Sequence, residues 1–223
     1  MKRRCAQKAF EFVKDGMVIG LGGGSTVGFL VEEIEHAGIQ VCAVTPSQDT
    51  MELCMKHHIP VLPLETVDHL DIAFDGCDEL DADLNALKTC GGIHVREKIV
   101  AAMAKDYVLL GDEKKYSQKL KFSYPVAMEV IPSARSYVKK CLLQMGASVT
   151  ERKGDQKMGL VISDDGNYLM DAAFSEVEDI KSLSETLDSI PGLVGHSLFY
   201  QIASKAIIVK EDGIEVLDRS KER

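Results

Sequence analysis

The sequence contains no tryptophan, and aromatic residues make up only 6% of its 223 positions. Basic side chains are also outnumbered by acidic ones, which gives a formal net charge of −9 at pH 7. Proteins that bind nucleic acids need basic surface for the phosphates and, for single strands, aromatic rings for the bases. We therefore expect no nucleic-acid partner. An anionic small molecule would require a local cluster of positive charge.

Long apolar runs are missing too. No stretch approaches the roughly 18 consecutive apolar residues that cross a membrane. The chain opens with Lys2, Arg3 and Arg4, but Glu11 and Lys14 follow before any apolar segment of signal-peptide length. The sequence therefore predicts a cytoplasmic protein without a membrane partner.

Paired cysteine and histidine motifs are absent as well. The six cysteines are scattered without a CxxC pair, and a chain of this length can build a core without disulfides. Most are expected to be buried thiols, with Cys77 and Cys90 as exceptions by position. The histidines lack metal-ligand spacing, and Ser25 has no evident histidine partner for a nucleophilic triad. No metal site is predicted.

The first 112 residues alternate between strand-like and helix-like segments. Strands are predicted at 17–21, 41–44, 59–64, 71–74 and 107–111. Helices are predicted at 5–13, 25–34, about 47–57 and 95–104, the second capped by Ser25 and Thr26. This alternation indicates an α/β fold with a doubly wound, mostly parallel sheet.

The pattern changes near Tyr124. A strand at 126–131, a helix at 134–145, strand pairs around 164–167 and a helix at 180–190 are typical of a small α+β domain. Two later apolar segments can return to the first sheet. We therefore predict a main domain of residues 1–123 plus 204–223 and a smaller domain of residues 124–203.

The glycine-rich segment GLGGGST, residues 20–26, lies between a predicted strand and a predicted helix. Backbone N–H groups and the helix dipole make such a turn an anion site, and glycine permits close approach. The segment lacks the lysine of a P-loop and the spacing of a dinucleotide fingerprint. A phosphate site and a merely tight turn both remain open.

The segment DGCDELD, residues 75–81, follows a predicted strand, where ligands of open parallel sheets usually bind. Together with Lys88 and Glu97 it offers acid, base and positive charge for proton transfer on a polyhydroxylated substrate. A solvated acidic turn is the structural alternative. A hard-cation site is a weaker one, because the acidic residues do not follow calcium-loop spacing. Glu97 could also serve only to complement a helix dipole.

Six segments in this order resemble the ribose-5-phosphate isomerase A family and cover residues from about 17 to 171. They are GLGGGST, DGCDELD, the segment from Lys88 to Lys98 that ends in REK, GDEKK, PVAMEVIP and GNYLMD. The resemblance implies a Rossmann-like main domain and a smaller α+β domain of ferredoxin-like type. It also implies a homodimer or homotetramer, and neither metal nor coenzyme.

Carried over residue by residue, the resemblance assigns three catalytic groups. Glu97 corresponds to the base that moves a proton between C1 and C2, Asp75 to the group for ring opening and hydroxyl proton transfer, and Lys88 to the stabiliser of the enediolate. The resemblance also assigns substrate binding to the glycine-rich turn, to the segments that begin at Asp75 and at Lys88, and to two further lysines. These residues are Gly23, Gly24, Ser25, Thr26, Asp75, Gly76, Cys77, Asp78, Lys88, Thr89, Cys90, Gly91, Lys115 and Lys2.

The chain departs from the family pattern at several positions. Gly23 stands where the family usually has threonine, which removes a hydroxyl from the phosphate side. Thr89 and Cys90 replace glycines, so a positive φ at either would be strained. His94 replaces a small or apolar residue. Acid, base and lysine are nevertheless all present.

The predicted function is the interconversion of ribose 5-phosphate and ribulose 5-phosphate through a cis-enediol. Two alternatives stay open at the level of the sequence. One is an isomerase or deaminase that acts on another sugar phosphate on the same architecture. The other is a catalytically weak sensor that binds a sugar phosphate and signals through a partner.

Overall fold

The computed structural model describes residues 1–156 and 158–219, and all elements below lie in these two ranges. The helices are α1 (Lys2–Phe10), α2 (Ser25–Ala37), α3 (Gln48–Lys56), α4 (His94–Met103), α5 (Arg135–Gln144) and α6 (Ile180–Asp188). The strands are β1 (Val18–Leu21), β2 (Cys42–Val44), β3 (Ile72–Gly76), β4 (Glu79–Asp81), β5 (Ala86–Leu87), β6 (Tyr107–Asp112), β7 (Tyr116–Ser117), β8 (Val126–Val130), β9 (Ser148–Glu151), β10 (Tyr168–Ala173), β11 (Leu193–His196), β12 (Leu198–Phe199), β13 (Lys205–Val209) and β14 (Ile214–Asp218).

The main sheet has the strand order β14-β13-β6-β3-β1-β2. Its five neighbouring strands from β13 to β2 pair in parallel, and β14 closes one edge in antiparallel pairing with β13. Strands β13 and β14 thus return the end of the chain to the first sheet, as the two late apolar segments predict.

Helices cover both faces of this sheet, because alternate residues of its buried strands point to opposite sides. Along β6, Val108 and Leu110 join the core under α1, α2 and α3, whereas Tyr107 and Leu109 join the core under α4. The fold is therefore α/β and doubly wound, in agreement with the sequence prediction.

Two smaller sheets complete the structure. The antiparallel sheet β11-β8-β10-β9 packs against α5 and α6 around a core that includes Val138, Leu142 and Leu187. The sheet β12-β5-β4-β7 is formed largely by the acidic segment that follows β3. Strand β12 lies within the range predicted for the smaller domain but pairs with β5. The division into two domains remains a prediction, and residues 220–223 lie outside the described part.

Three local predictions differ from the structure. The strand predicted at 59–64 is wrong: only an isolated bridge joins Ala43 to Val61, because Pro60 and Pro63 cannot donate to a ladder. A 3₁₀ turn at Leu64–Thr66 follows. Ser25 does not cap α2, since the capping position is Gly24 at φ 93° and Ser25 begins the helix. Strand β3 is longer than predicted and includes Asp75.

None of the helices within residues 1–156 and 158–219 has the length and apolar character needed to cross a membrane.

The core of the antiparallel sheet supplies a stability prediction with a control in the next residue. Leu142 is fully buried on α5, whereas Leu143 is 52% exposed. We expect Leu142→Ala to lower the free energy of unfolding by about 2–5 kcal/mol, because it leaves a cavity. Leu143→Ala should change it by about 0.5 kcal/mol or less. Urea denaturation at one protein concentration measures both, and equal losses would contradict the orientation of α5.

Candidate active site

A cleft of about 550 Å³ opens at the carboxyl ends of β1, β3 and β6. This is the edge at which ligands of open parallel sheets bind. The cleft brings together thirteen of the fourteen residues that the resemblance assigns to substrate binding, and Glu97 lines it as well. The exception is Thr89. Its hydroxyl donates to Pro125 O at 2.5 Å, so this side chain points into the protein interior.

The centre of the cleft is a buried cluster of Asp75, Lys88 and Glu97. Asp75 lies near the end of β3, Lys88 directly follows β5, and Glu97 lies in the first turn of α4. Lys88 Nζ is 3.0 Å from Asp75 Oδ1 and 3.1 Å from Glu97 Oε1, and it donates to Gly76 O at 2.6 Å. One ammonium group therefore bridges two carboxylates, each about 95% buried.

Burial and charge set the protonation behaviour of Glu97. Burial raises the pKa of this carboxyl to about 8, and the neighbouring charge of Asp75 adds to the rise while Lys88 opposes it. Among the described residues, no group donates a hydrogen bond to Glu97 Oε2. A buried acceptor with a pKa close to neutral and a free oxygen suits a base that takes a proton from carbon.

Lys88 stays charged in the same surroundings. Burial alone would lower the pKa of its ammonium group, but the charges of Asp75 and Glu97 outweigh this effect and raise the pKa. A fixed positive charge beside a carbon acid stabilises the oxyanion that forms when the proton leaves.

Asp75 is held in place from several sides. Its Oδ1 accepts the Gly76 N–H at 2.8 Å, and its Oδ2 accepts the hydroxyl of Tyr107 at 3.1 Å. At Gly22, a Cβ atom would come within 2.0 Å of the Asp75 carboxyl group, so only glycine leaves room for this side chain. The glycine-rich segment therefore shapes the proton-transfer site as well as the start of α2.

The glycine-rich turn faces the cleft together with two lysines. Gly24, Ser25 and Thr26 lie at the start of α2, whose first turn contains no acidic residue and leaves backbone N–H groups available to an anion. Lys2 Nζ donates to Ser25 Oγ at 2.7 Å. Lys115, which follows β6, donates to Cys77 O at 2.5 Å. Lys2 therefore contacts the glycine-rich turn directly, whereas Lys115 contacts the backbone that follows β3.

Gly23 leaves space where the family pattern has threonine. A Cβ atom at this position would meet Ser47 Oγ at 3.7 Å and Ile93 Cδ1 at 3.9 Å, which are ordinary contacts. Crowding therefore does not explain why Gly23 replaces the threonine of the family pattern. Ser47 itself lines the cleft and caps α3 by accepting the Thr50 N–H at 3.3 Å.

The segment after Lys88 is arranged by Asp78. Asp78 Oδ2 accepts the N–H groups of Thr89 at 2.7 Å and of Cys90 at 2.8 Å. Neither residue has a positive φ; Gly91 at 90° and Gly92 at 73° make the turn instead. The strain considered for Thr89 and Cys90 is therefore absent. Gly91, Cys90 and Gly76 line the cleft, while the Cys77 thiol is buried, which raises its pKa to about 11.

The acidic segment is neither a solvated turn nor a cation loop. Glu79 accepts the N–H groups of Lys121, Phe122 and Tyr124, and Asp81 accepts those of Asp83 and Asn85. Both carboxylates are buried and occupied by backbone donors. Within the two described ranges, no group of three or more His, Cys, Asp or Glu side chains is placed to hold a metal ion.

His94 lies outside the cleft. Its ring is fully buried between α4 and β11, with Nε2 at 3.3 Å from Gly195 O. Burial lowers the pKa of this imidazole to about 3, so the ring is neutral. His94 therefore packs α4 against the antiparallel sheet and takes no direct part in the cluster.

Sequence reasoning missed three groups around the cleft. They are Tyr107 below Asp75, Ser47 beside Gly23, and Asp164, which lines the cleft from the turn between β9 and β10. Ser47 carries the ordinary signal of a helix cap, but its position depends on the parallel pairing of β1 with β2. Tyr107 looks like one more core residue of an apolar strand. No local pattern would have identified Asp164.

Comparison with known proteins gives one consistent result. The family model described as ribose 5-phosphate isomerase A (phosphoriboisomerase A) matches residues 42–213. Ribose-5-phosphate isomerase A of Haloquadratum walsbyi is 38% identical over 218 residues, which cover 96% of this chain and 92% of that protein.

Solved structures agree with this match. The structure of ribose 5-phosphate isomerase A from Methanocaldococcus jannaschii superposes with a TM-score of 0.90 at 36% identity and covers 97% of both chains. A D-ribose-5-phosphate isomerase in complex with phospho-erythronic acid has a TM-score of 0.92 at 35% identity, covering 98% of this chain and 97% of the other. The chain belongs to the ribose 5-phosphate isomerase A family.

Proposed function

We propose that this protein interconverts D-ribose 5-phosphate and D-ribulose 5-phosphate, with Glu97 as the base, Lys88 as the stabiliser of the intermediate and Asp75 as the group that moves hydroxyl protons. The observation that carries the proposal is the geometry of the cluster. Lys88 Nζ lies within 3.1 Å of both carboxylates, and Oε2 of Glu97 is unpaired among the described residues. Family membership supplies the reaction and the substrate.

The chemistry begins with opening of the sugar ring. Asp75 takes the proton of the C1 hydroxyl and returns it to the ring oxygen as the bond between C1 and that oxygen breaks, which gives the open-chain aldose. Ionised Glu97 then removes the proton from C2. The electron pair moves into a C1–C2 double bond, and the negative charge on the C1 oxygen is stabilised by the Lys88 ammonium group. Glu97 returns the proton to C1, while proton transfer between the oxygens through Asp75 yields the ketose. The cycle leaves every protein group in its starting state.

The other end of the cleft is suited to the phosphate. The start of α2 offers backbone N–H groups at Gly24, Ser25 and Thr26, and Lys2 and Lys115 add the two positive charges. A chain with a net charge of −9 needs such a local concentration of positive potential to attract a dianion. Gly76, Cys77, Asp78, Cys90 and Gly91 would then shape the middle of the cleft around the sugar hydroxyls.

Family membership at near full length does not favour the alternatives. The relatives above are all named ribose-5-phosphate isomerases, whereas neither a deaminase nor a sensor is suggested by a feature of the cleft. Acid, base and ammonium are all in place, which argues against a catalytically weak sensor. A homodimer or homotetramer and a cytoplasmic location remain part of the proposal.

The proposed reaction can be tested directly. We expect the purified protein to form ketose from ribose 5-phosphate, and to be slower on a panel of other aldose phosphates, in a spectrophotometric assay of ketose. Activity should persist after exhaustive treatment with a chelator, because Lys88 supplies the positive charge in the cluster. No turnover of ribose 5-phosphate, or a stronger preference for another sugar phosphate, would overturn the substrate assignment. Loss that is reversed by a divalent cation would overturn the metal-free mechanism.

Glu97→Gln tests the base. The amide keeps the shape of the side chain but cannot accept the C2 proton, so kcat should fall by about 100-fold to 10,000-fold while KM changes by a few-fold. Wild-type kcat/KM should rise with pH towards about 8, because the base acts in its ionised form and burial raises the pKa of Glu97 to about 8.

Glu113→Gln, which changes a carboxylate outside the cleft, is the matched control and should behave as wild type. The base assignment would be wrong if Glu97→Gln kept more than about a tenth of wild-type kcat.

Lys115→Ala and Lys2→Ala test the phosphate end. Each should raise KM for ribose 5-phosphate more than it lowers kcat, because a phosphate contact is made similarly in the ground and transition states. Neither should matter for free ribose. Lys114→Ala is the control, since this lysine lies next to Lys115 but does not line the cleft. Equal losses on ribose and ribose 5-phosphate would show that the lysine in question is structural.

A further inference from the structure

Tyr107 lies directly beneath the proton-transfer cluster and has no part in the reaction described above. It is the first residue of β6, is 2% exposed, and donates its hydroxyl to Asp75 Oδ2 at 3.1 Å. Burial, and then the charges of Asp75 and Glu97, raise the pKa of this hydroxyl well above its usual range. The group is therefore a permanent donor, and it reaches the oxygen of Asp75 that Lys88 and Gly76 do not contact.

The Tyr107 ring is fixed as firmly as its hydroxyl. It stacks on Phe199 with ring centroids 6.1 Å apart and an interplanar angle of 23°. The backbone N–H of Tyr107 donates to Ser204 Oγ at 3.2 Å, and the Ser204 N–H donates to Tyr107 O at 3.0 Å. Tyr107 is thus anchored through both its ring and its backbone, so its hydroxyl has little freedom to leave Asp75.

Phe199 links this aromatic pair to the rest of the cluster. Lys88 Nζ lies 5.7 Å from the centre of the Phe199 ring, within the range of a cation–π contact. The stacked rings therefore support the carboxylate of Asp75 on one side and the ammonium of Lys88 on the other. The two stacked rings are apolar and exclude water from this side of the cluster. The Tyr107 hydroxyl is the polar group of this pair, and it contacts Asp75 through a hydrogen bond.

We propose that Tyr107 is a positioning residue for the isomerisation: its hydroxyl holds the Asp75 carboxylate in one orientation, with Oδ1 directed to Lys88 and the cleft. The inference rests on the proposed function, because it acts through the role assigned there to Asp75. A carboxylate held at both oxygens cannot rotate away from the substrate hydroxyls.

The variant Tyr107→Phe removes one oxygen atom and keeps the ring that stacks on Phe199. We expect kcat to fall about ten-fold, the size expected for the loss of one hydrogen bond to a charged group, with KM within about two-fold of wild type. Tyr168→Phe, in the antiparallel sheet and outside the cleft, is the matched control and should retain full activity. Circular dichroism and the urea midpoint verify that each variant is folded.

The split between kcat and KM separates positioning from packing. Tyr107→Phe removes only the hydroxyl that holds the Asp75 carboxylate, so kcat should fall while KM and the urea midpoint stay close to those of the wild type. A purely structural loss of packing beneath the cleft would raise KM and lower the urea midpoint as well.

A double-mutant cycle tests the route of the effect. If Tyr107 acts through Asp75, then Asp75→Asn combined with Tyr107→Phe should be no slower than Asp75→Asn alone. Multiplicative losses would overturn the proposal, as would a Tyr107→Phe variant with kcat within two-fold of an active wild type. Absence of activity in the wild type itself would instead overturn the proposed function, so the two failures are distinguishable.

Discussion

The contact on which the rest of this structure depends is the Lys88 ammonium between the carboxylates of Asp75 and Glu97. All three groups are about 95% buried, and one positive charge faces two potential negative ones. Buried carboxylates that share one counter-ion cannot both ionise easily, so one of them holds its proton more tightly. Glu97, with burial as the main cause and Asp75 as the next, is the one whose pKa rises to about 8. The same contact therefore holds the three side chains together and leaves Glu97, the proposed base, with a raised pKa.

Three separate elements have to converge to build this contact, and the small sheet β12-β5-β4-β7 is the part that makes it possible. Asp75 comes from β3 and Glu97 from α4, but Lys88 has to be carried from outside the main sheet. Strands β4 and β5 return the chain after β3, and the Lys88 N–H donates to Ser197 O at 3.0 Å. The buried carboxylates of Glu79 and Asp81 bind backbone amides that hold this return in shape. The acidic segment is thus mainly structural, and Asp75, the residue with a proposed catalytic role, lies at its start.

The sequence was sufficient for the α/β class, for the return of the last strands and for the expectation that Asp75, Lys88 and Glu97 lie together. These features depend on hydrophobic alternation and on motifs whose order resembles one family. The sequence was not sufficient where contacts between distant residues determine whether a strand forms or a side chain is buried. Pro60 and Pro63 turned an apolar run into a bridge, and the Glu79 carboxylate is buried against the distant backbone amides of residues 121, 122 and 124. Tyr107 could not be recognised, since only the neighbouring positions of β3 and β6 place its hydroxyl under Asp75. The hydrogen-bond partner of a single polar atom in a core strand lies on another strand, so it cannot be read from the local sequence.

The cleft divides its chemistry between two ends, which explains how an acidic protein can serve an anionic substrate. Lys2 and Lys115 stand with the start of α2 at one end, where positive potential is needed, and the two carboxylates lie at the other. A dianion bound among the carboxylates would be repelled, whereas one bound at α2 directs the carbon chain towards Lys88 and Glu97. In the proposed mode of binding, the phosphate therefore orients the substrate by electrostatics. Binding energy gained away from the reacting carbons can then be spent on holding C1 and C2 beside the base.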